Sequence, residues 1–180
     1  MSLTLLNIIQ FLLNTLFGIY IVAVMLRFLL QWVKADFYHP FCQLLMKVTN
    51  PPLLPLRKII PGWFGLDMAA VVLMLILQCA QLALIAWLFQ YPLNSWLITL
   101  GLLKLLQMVL NLYFFAIILR AIASWFSDSN NPNARLLNQL TEPVLRPVRR
   151  VLPPFSGIDL SPLVVLILLQ VASIGLQTFM

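Results

Sequence analysis

The chain has 180 residues, 62% of them apolar and only 9% charged, with a formal net charge of +6. A soluble domain of this length puts about a quarter of its residues into charge to keep its surface wet. The composition therefore excludes an ordinary soluble fold and specifies an integral membrane protein.

A helix that crosses the hydrocarbon core needs about 20 apolar residues. The first apolar stretch, residues 3–33, exceeds that. No basic residue precedes it and no small-x-small cleavage site follows, so it is expected to remain as a span. Asn7, Gln10 and Asn14 share a face near its start, and Arg27 lies about 36 Å along a helix from Leu3, near the opposite boundary.

A loop follows at 34–67. Leu44, Leu45 and Val48 fall on one side of a short helical pattern, with Gln43 and Lys47 towards water. Such a helix lies on the membrane surface or packs against the projecting ends of the first and third spans. Next come Pro51, Pro52 and Pro55. Each lacks the amide a helix would use, so a kinked or broken segment is expected. Arg57-Lys58 closes it. The pair suits anionic headgroups, or acts only to hold the loop on its side of the membrane.

The second span covers 68–89, entered through Asp67 at a position that favours a carboxylate. Gln78 stands three turns along on the face of Asp67, with Gln81 near it. Tyr91-Pro92-Leu93-Asn94 makes a tight turn. The third span covers 96–126 and carries Lys104, Gln107, Asn111 and Arg120. A second loop (127–159) repeats the amphipathic pattern in Leu136, Leu137 and Leu140, and ends its proline segment on Arg146, Arg149 and Arg150. The fourth span, 160–180, starts behind Asp159 and holds Gln170, Ser173 and Gln177 on one face.

The two halves are copies. Residues 27–78 recur as 120–170 with a single-residue gap, pairing Trp32 with Trp125, Thr49-Asn50-Pro51 with Thr141-Glu142-Pro143, and Asp67 with Asp159. Such periodicity defines the architecture. The expected fold is an all-α integral membrane protein with four transmembrane helices. They form two tandem parallel hairpin repeats, residues 1–90 and 96–180, with short amphipathic interfacial helices in both cytoplasmic loops. Eight of the eleven basic residues lie in loops 34–67 and 127–159. That bias places the loops in the cytoplasm and both termini in the periplasm. Trp87, Tyr91 and Trp96 mark one interface, and Trp32, Tyr38, Trp63 and Trp125 the other.

Thr-Glu-Pro-Val-Leu-Arg-Pro-Val-Arg-Arg at 141–150, then Pro153 and Gly157-Ile158-Asp159-Leu160-Ser161-Pro162, resembles the signature of the YggT family of small bacterial membrane proteins. The first copy departs from it at Asn50, Leu54 and Ala69-Ala70, so a site needing the acid and the extra arginine belongs to copy two. The resemblance implies the bacterial inner membrane and a role in osmotic-stress tolerance and potassium homeostasis. Relatives in plastids and cyanobacteria imply division, nucleoid organisation or cytochrome assembly.

Intramembrane polar residues are the first place to look for function. Arg27 and Arg120 are expected to pair with Asp67 and Asp159 of their own copies, or else to snorkel to headgroups. Gln78 and Gln170 either line a path or join helices by hydrogen bonds. Nothing in the chain resembles an enzyme: there is one histidine, no nucleophile motif, no metal-ligand spacing and no nucleotide loop. No cofactor is expected, and no direct nucleic-acid contact. Cys42 and Cys79 lie at different depths and are not expected to pair. The sequence favours an interaction or scaffold protein bound to anionic headgroups, working as a homo-oligomer or with a membrane-protein partner. An oligomeric channel or transporter for ion homeostasis is the alternative.

Overall fold

The computed structural model describes residues 3–62, 65–92, 97–126, 131–152 and 159–179. Trp63, Trp96, Leu93, Asn94 and the stretch from Pro153 to Ile158 lie outside them, as does the Trp125 side chain. The described fold is all-helical: α1 (Leu3–Trp32), α2 (Pro40–Ile59), α3 (Met68–Phe89), α4 (Leu97–Phe126), α5 (Pro132–Val151) and α6 (Ser161–Gln177). Helices α1, α3 and α4 are long and apolar enough to cross a membrane, and α6 is a shorter apolar helix of 17 residues.

The loop helices begin with matching devices. His39 Nδ1 accepts from the Phe41 amide at 3.2 Å, and Asn131 Oδ1 from the Asn133 amide at 3.0 Å. Pro40 and Pro132 follow in the first turn, where a missing amide is harmless. Both helices end on basic pairs, which complement the negative end of the helix dipole. Gln90, in the left-handed conformation, stops α3 by donating its amide to the carbonyls of Ala86 and Trp87.

The expected break at the prolines is not formed. Helix α2 runs unbroken through Pro51, Pro52 and Pro55, and α5 through Pro143 and Pro147. A neighbour repairs part of the cost. The Val48 carbonyl, which Pro52 deprives of its helical donor, accepts from the Tyr20 hydroxyl at 3.3 Å.

Helices α1, α3, α4 and α6 form a row of neighbours in that order, and its two ends do not touch among the described residues. Asn14 meets Gln81 while Arg27 and Asp67 line one cavity, so α1 and α3 run antiparallel. Helix α2 lies across α1 and α3, and α5 across α4 and α6 with a further contact to α1. Both loop helices therefore sit at one end of the bundle, called here the loop end. Of the two surfaces open to the amphipathic helices, packing takes Cys42, Leu45, Thr49 and Leu53, and in α5 Leu140, Thr141 and Leu145. Leu44 and Val48 stay exposed. The main core gathers Ile21, Val24, Met25 and Leu29 with Leu53, Ala70, Leu73 and Met74. A smaller cluster of Ile117, Leu145 and Val165 holds α6.

Candidate functional site at the loop end

Each repeat builds the same latch from residues of three helices. In the first, Asp67 accepts from both Nε and Nη2 of Arg57, so the last turn of α2 is fastened to the start of α3. The second does so through Arg149 Nε and Asp159 Oδ2 at 2.8 Å, joining α5 to α6. Asp67 also caps α3, and Asp159 bonds the chain just as α6 begins. Asp67 Oδ1 accepts from the Ala70 amide at 3.4 Å, and Asp159 Oδ1 from the Ser161 amide at 2.9 Å.

The expected pairs Arg27–Asp67 and Arg120–Asp159 are replaced by these. The reason is geometric: the end of each loop helix lies closer to the aspartate than the spanning arginine does. Arg27 instead donates to Thr49 Oγ1 at 2.6 Å, and Arg120 to Thr141 Oγ1 at 2.8 Å. Each threonine hydroxyl in turn donates to a carbonyl one turn back, Leu45 at 2.6 Å and Leu137 at 2.7 Å. Sequence reasoning passed over these threonines as acceptors, although both stand in the repeated Thr-x-Pro step.

The two latches differ in charge. Glu142 joins the second, accepting from Arg149 Nη1 at 3.1 Å and from Arg120 Nη1 at 3.4 Å. Two carboxylates thus face two guanidinium groups. Burial alone would raise the Asp159 carboxyl, but hydrogen bonds from Ser161 and Arg149 with the Arg149 charge hold it below the usual carboxylate range. In the first repeat Asn50 stands where Glu142 would be, and among the described residues Asp67 is the one carboxylate in the latch, paired with Arg57. A cavity of about 590 Å³ opens there, lined by Arg27, Gln31, Phe37, Arg57, Leu66 and Asp67 among others. Arg27 is only 5% exposed.

The basic set divides. Arg57 and Arg149 turn inward to the latches, while Lys58, Arg146 and Arg150 are exposed on the outer side of their helices. Deeper in the bundle, Gln81 donates to Asn14 Oδ1 at 2.8 Å and accepts from Gln78 at 3.0 Å. At the equivalent place in the second repeat, Gln107 donates to Ser173 Oγ at 2.6 Å. The matching polar faces expected of the second and fourth spans are therefore not matched: Gln78 is buried, whereas Gln170 and Gln177 are exposed. Among the described residues no cluster of His, Cys, Asp or Glu has the geometry of a metal site.

Residues 6–88 and 99–180 each match the family model described as CCB3/YggT. An uncharacterised protein of Vibrio alginolyticus is 41% identical over 170 residues, covering 93% of this chain and 92% of the relative. The YggT protein of Escherichia coli K12 is 37% identical over 169 residues, covering 94% and 89% respectively. A shorter relative, ycf19 of Guillardia theta, is 34% identical over 76 residues, or 38% of this chain and 84% of its own. No solved structure matches the chain.

Proposed function

From the premise that the chain belongs to the CCB3/YggT family, we propose that it is a multi-pass inner-membrane scaffold. In this reading α6 is the fourth span, the loop end faces the cytoplasm and both termini are periplasmic. Helices α2 and α5 are its working surface. One observation carries the reading: the same latch, made twice, clamps each loop helix by its inner edge. That leaves Lys47, Lys58, Arg146 and Arg150 exposed, together with Phe41, Leu44 and Val48. A rigid surface of cations beside apolar side chains suits the anionic inner leaflet and a membrane-protein partner. Osmotic-stress response and envelope or division processes are the roles implied by the family resemblance.

An oligomeric channel serving potassium or osmotic homeostasis is the second reading. It draws on Gln170, an amide left on the open side of α6. Against it, the polar groups Asn14, Gln78, Gln81, Gln107 and Ser173 are taken up in contacts between or along helices rather than facing a shared path. Ion flux through purified protein in liposomes separates the two. The scaffold reading expects no flux above empty vesicles. Robust flux abolished by Gln78→Leu or Gln170→Leu would overturn it.

A further inference from the structure

We propose that the first repeat carries an oxyanion site, between Arg27 and Arg57, that takes a phosphate group. The second repeat shows what the site accommodates, because there a carboxylate of the chain itself fills the equivalent place. Glu142 accepts from Arg149 Nη1 and from Nη1 and Nη2 of Arg120. The counterparts in the first repeat are Arg57 and Arg27, and Asn50 supplies no charge. Arg57 spends Nε and Nη2 on Asp67, and Arg27 spends Nη1 on Thr49. Arg57 Nη1 and Arg27 Nη2, on the arginines equivalent to those that hold Glu142, have no acceptor among the described residues. Both arginines line the 590 Å³ cavity, whose wall also includes Asp67 and the apolar Phe37, Met46, Ile60 and Leu66.

A nearly buried guanidinium with no carboxylate in contact is costly unless something neutralises it. A planar fork with free N–H groups matches a phosphate or carboxylate oxygen pair. The cavity lies at the loop end, which the scaffold reading places at the inner leaflet. The inference rests on that reading only for the source of the phosphate, a phospholipid headgroup as against free phosphate.

The test uses the full chain in nanodiscs. Thermal unfolding is followed with and without inorganic phosphate in neutral lipid, and retained anionic phospholipid is counted by native mass spectrometry. Asn50→Glu supplies the internal carboxylate of the second repeat. It is expected to weaken phosphate or anionic-lipid binding at least about tenfold, and to raise stability without ligand. Asn50→Gln, of similar shape but neutral, keeps binding. Glu142→Asn creates a second site and doubles the bound anion. Lipid retained by the wild type and lost in Asn50→Glu assigns the headgroup. A response to inorganic phosphate alone keeps the site and removes the lipid part of the scaffold reading. Equal binding by wild type and Asn50→Glu, or none by either, overturns the site.

Discussion

The two repeats set the same arginine, threonine and aspartate in the same places and then balance them differently. In the first, a buried arginine rests on a fully buried threonine, and one aspartate, 5% exposed at its side chain, serves the latch. In the second, the aspartate is 34% exposed and a second carboxylate, Glu142, bridges both arginines. The lesson is that the latch is a frame for holding a loop helix against two spans, and the anion that completes it is interchangeable. The roles of individual polar groups are interchangeable too. Gln81 donates from the returning helix to Asn14, whereas Gln107, in the Asn14 position, donates to Ser173, in the Gln81 position.

Removing the aspartate separates the repeats most strongly. Asp67→Ala leaves Arg27 and Arg57 facing each other with no carboxylate between them, and is expected to cost about 3 kcal/mol. Asp159→Ala leaves Glu142 in contact with both arginines, and its exposed pair contributes only about 1 kcal/mol. Unfolding of the two variants in detergent measures the difference. Equal losses would mean that Glu142 does not stand in for the aspartate.

The threonines give the next largest contrast. Thr49→Val removes the acceptor of Arg27 and leaves a charged donor buried, at about 2 kcal/mol. Thr141→Val is expected to cost about half as much, because Arg120 keeps Glu142. A double variant, Asn50→Glu with Thr49→Val, should recover part of the larger loss. Failure to recover would show that Asn50 is not the equivalent of Glu142 in space.

Much of this frame is legible in the residues. The long apolar helices and the two amphipathic helices follow from length and periodicity, and the duplication from matched proline and arginine steps. What remained hidden depends on neighbours. Arg27 and Arg120 were the arginines expected to meet the aspartates, and only the path of the loop brings Arg57 and Arg149 to them instead. Gln78 and Gln170 look alike along their own helices. Their burial differs because α3 lies inside the row of helices and α6 at its end. The prolines were read as a kink or a break, and the break is not formed; the donor that compensates for Pro52 comes from Tyr20, on another helix.

Acidification tests the second latch by itself. The Asp159 carboxyl is held below its ordinary range by Ser161 and Arg149 against the opposing effect of burial. Its contribution is therefore complete above the unfolded carboxylate value, about 3.9, and is lost as pH falls through the lower folded value. Stability of the wild type should fall below about pH 4, and Asp159→Asn should show a shallower fall over the same range. Identical pH profiles would mean that Asp159 ionises as freely folded as unfolded.

The finest contrast lies between two tyrosines at one repeat position. The Tyr20 hydroxyl donates to the Val48 carbonyl, which is free because Pro52 has no amide to offer it. In the second repeat Val144 stands at the place of Pro52 and carries that amide. The Tyr113 hydroxyl is buried with no hydrogen-bond partner among the described residues. Tyr20→Phe should therefore cost about 1 kcal/mol, whereas Tyr113→Phe should be neutral or slightly stabilising, since it removes a buried polar group that gains nothing. Changing Pro52→Val returns a helical donor to the Val48 carbonyl, and in that background Tyr20→Phe should lose its effect. A full Tyr20→Phe loss in the Pro52→Val protein would show that the tyrosine acts through packing alone.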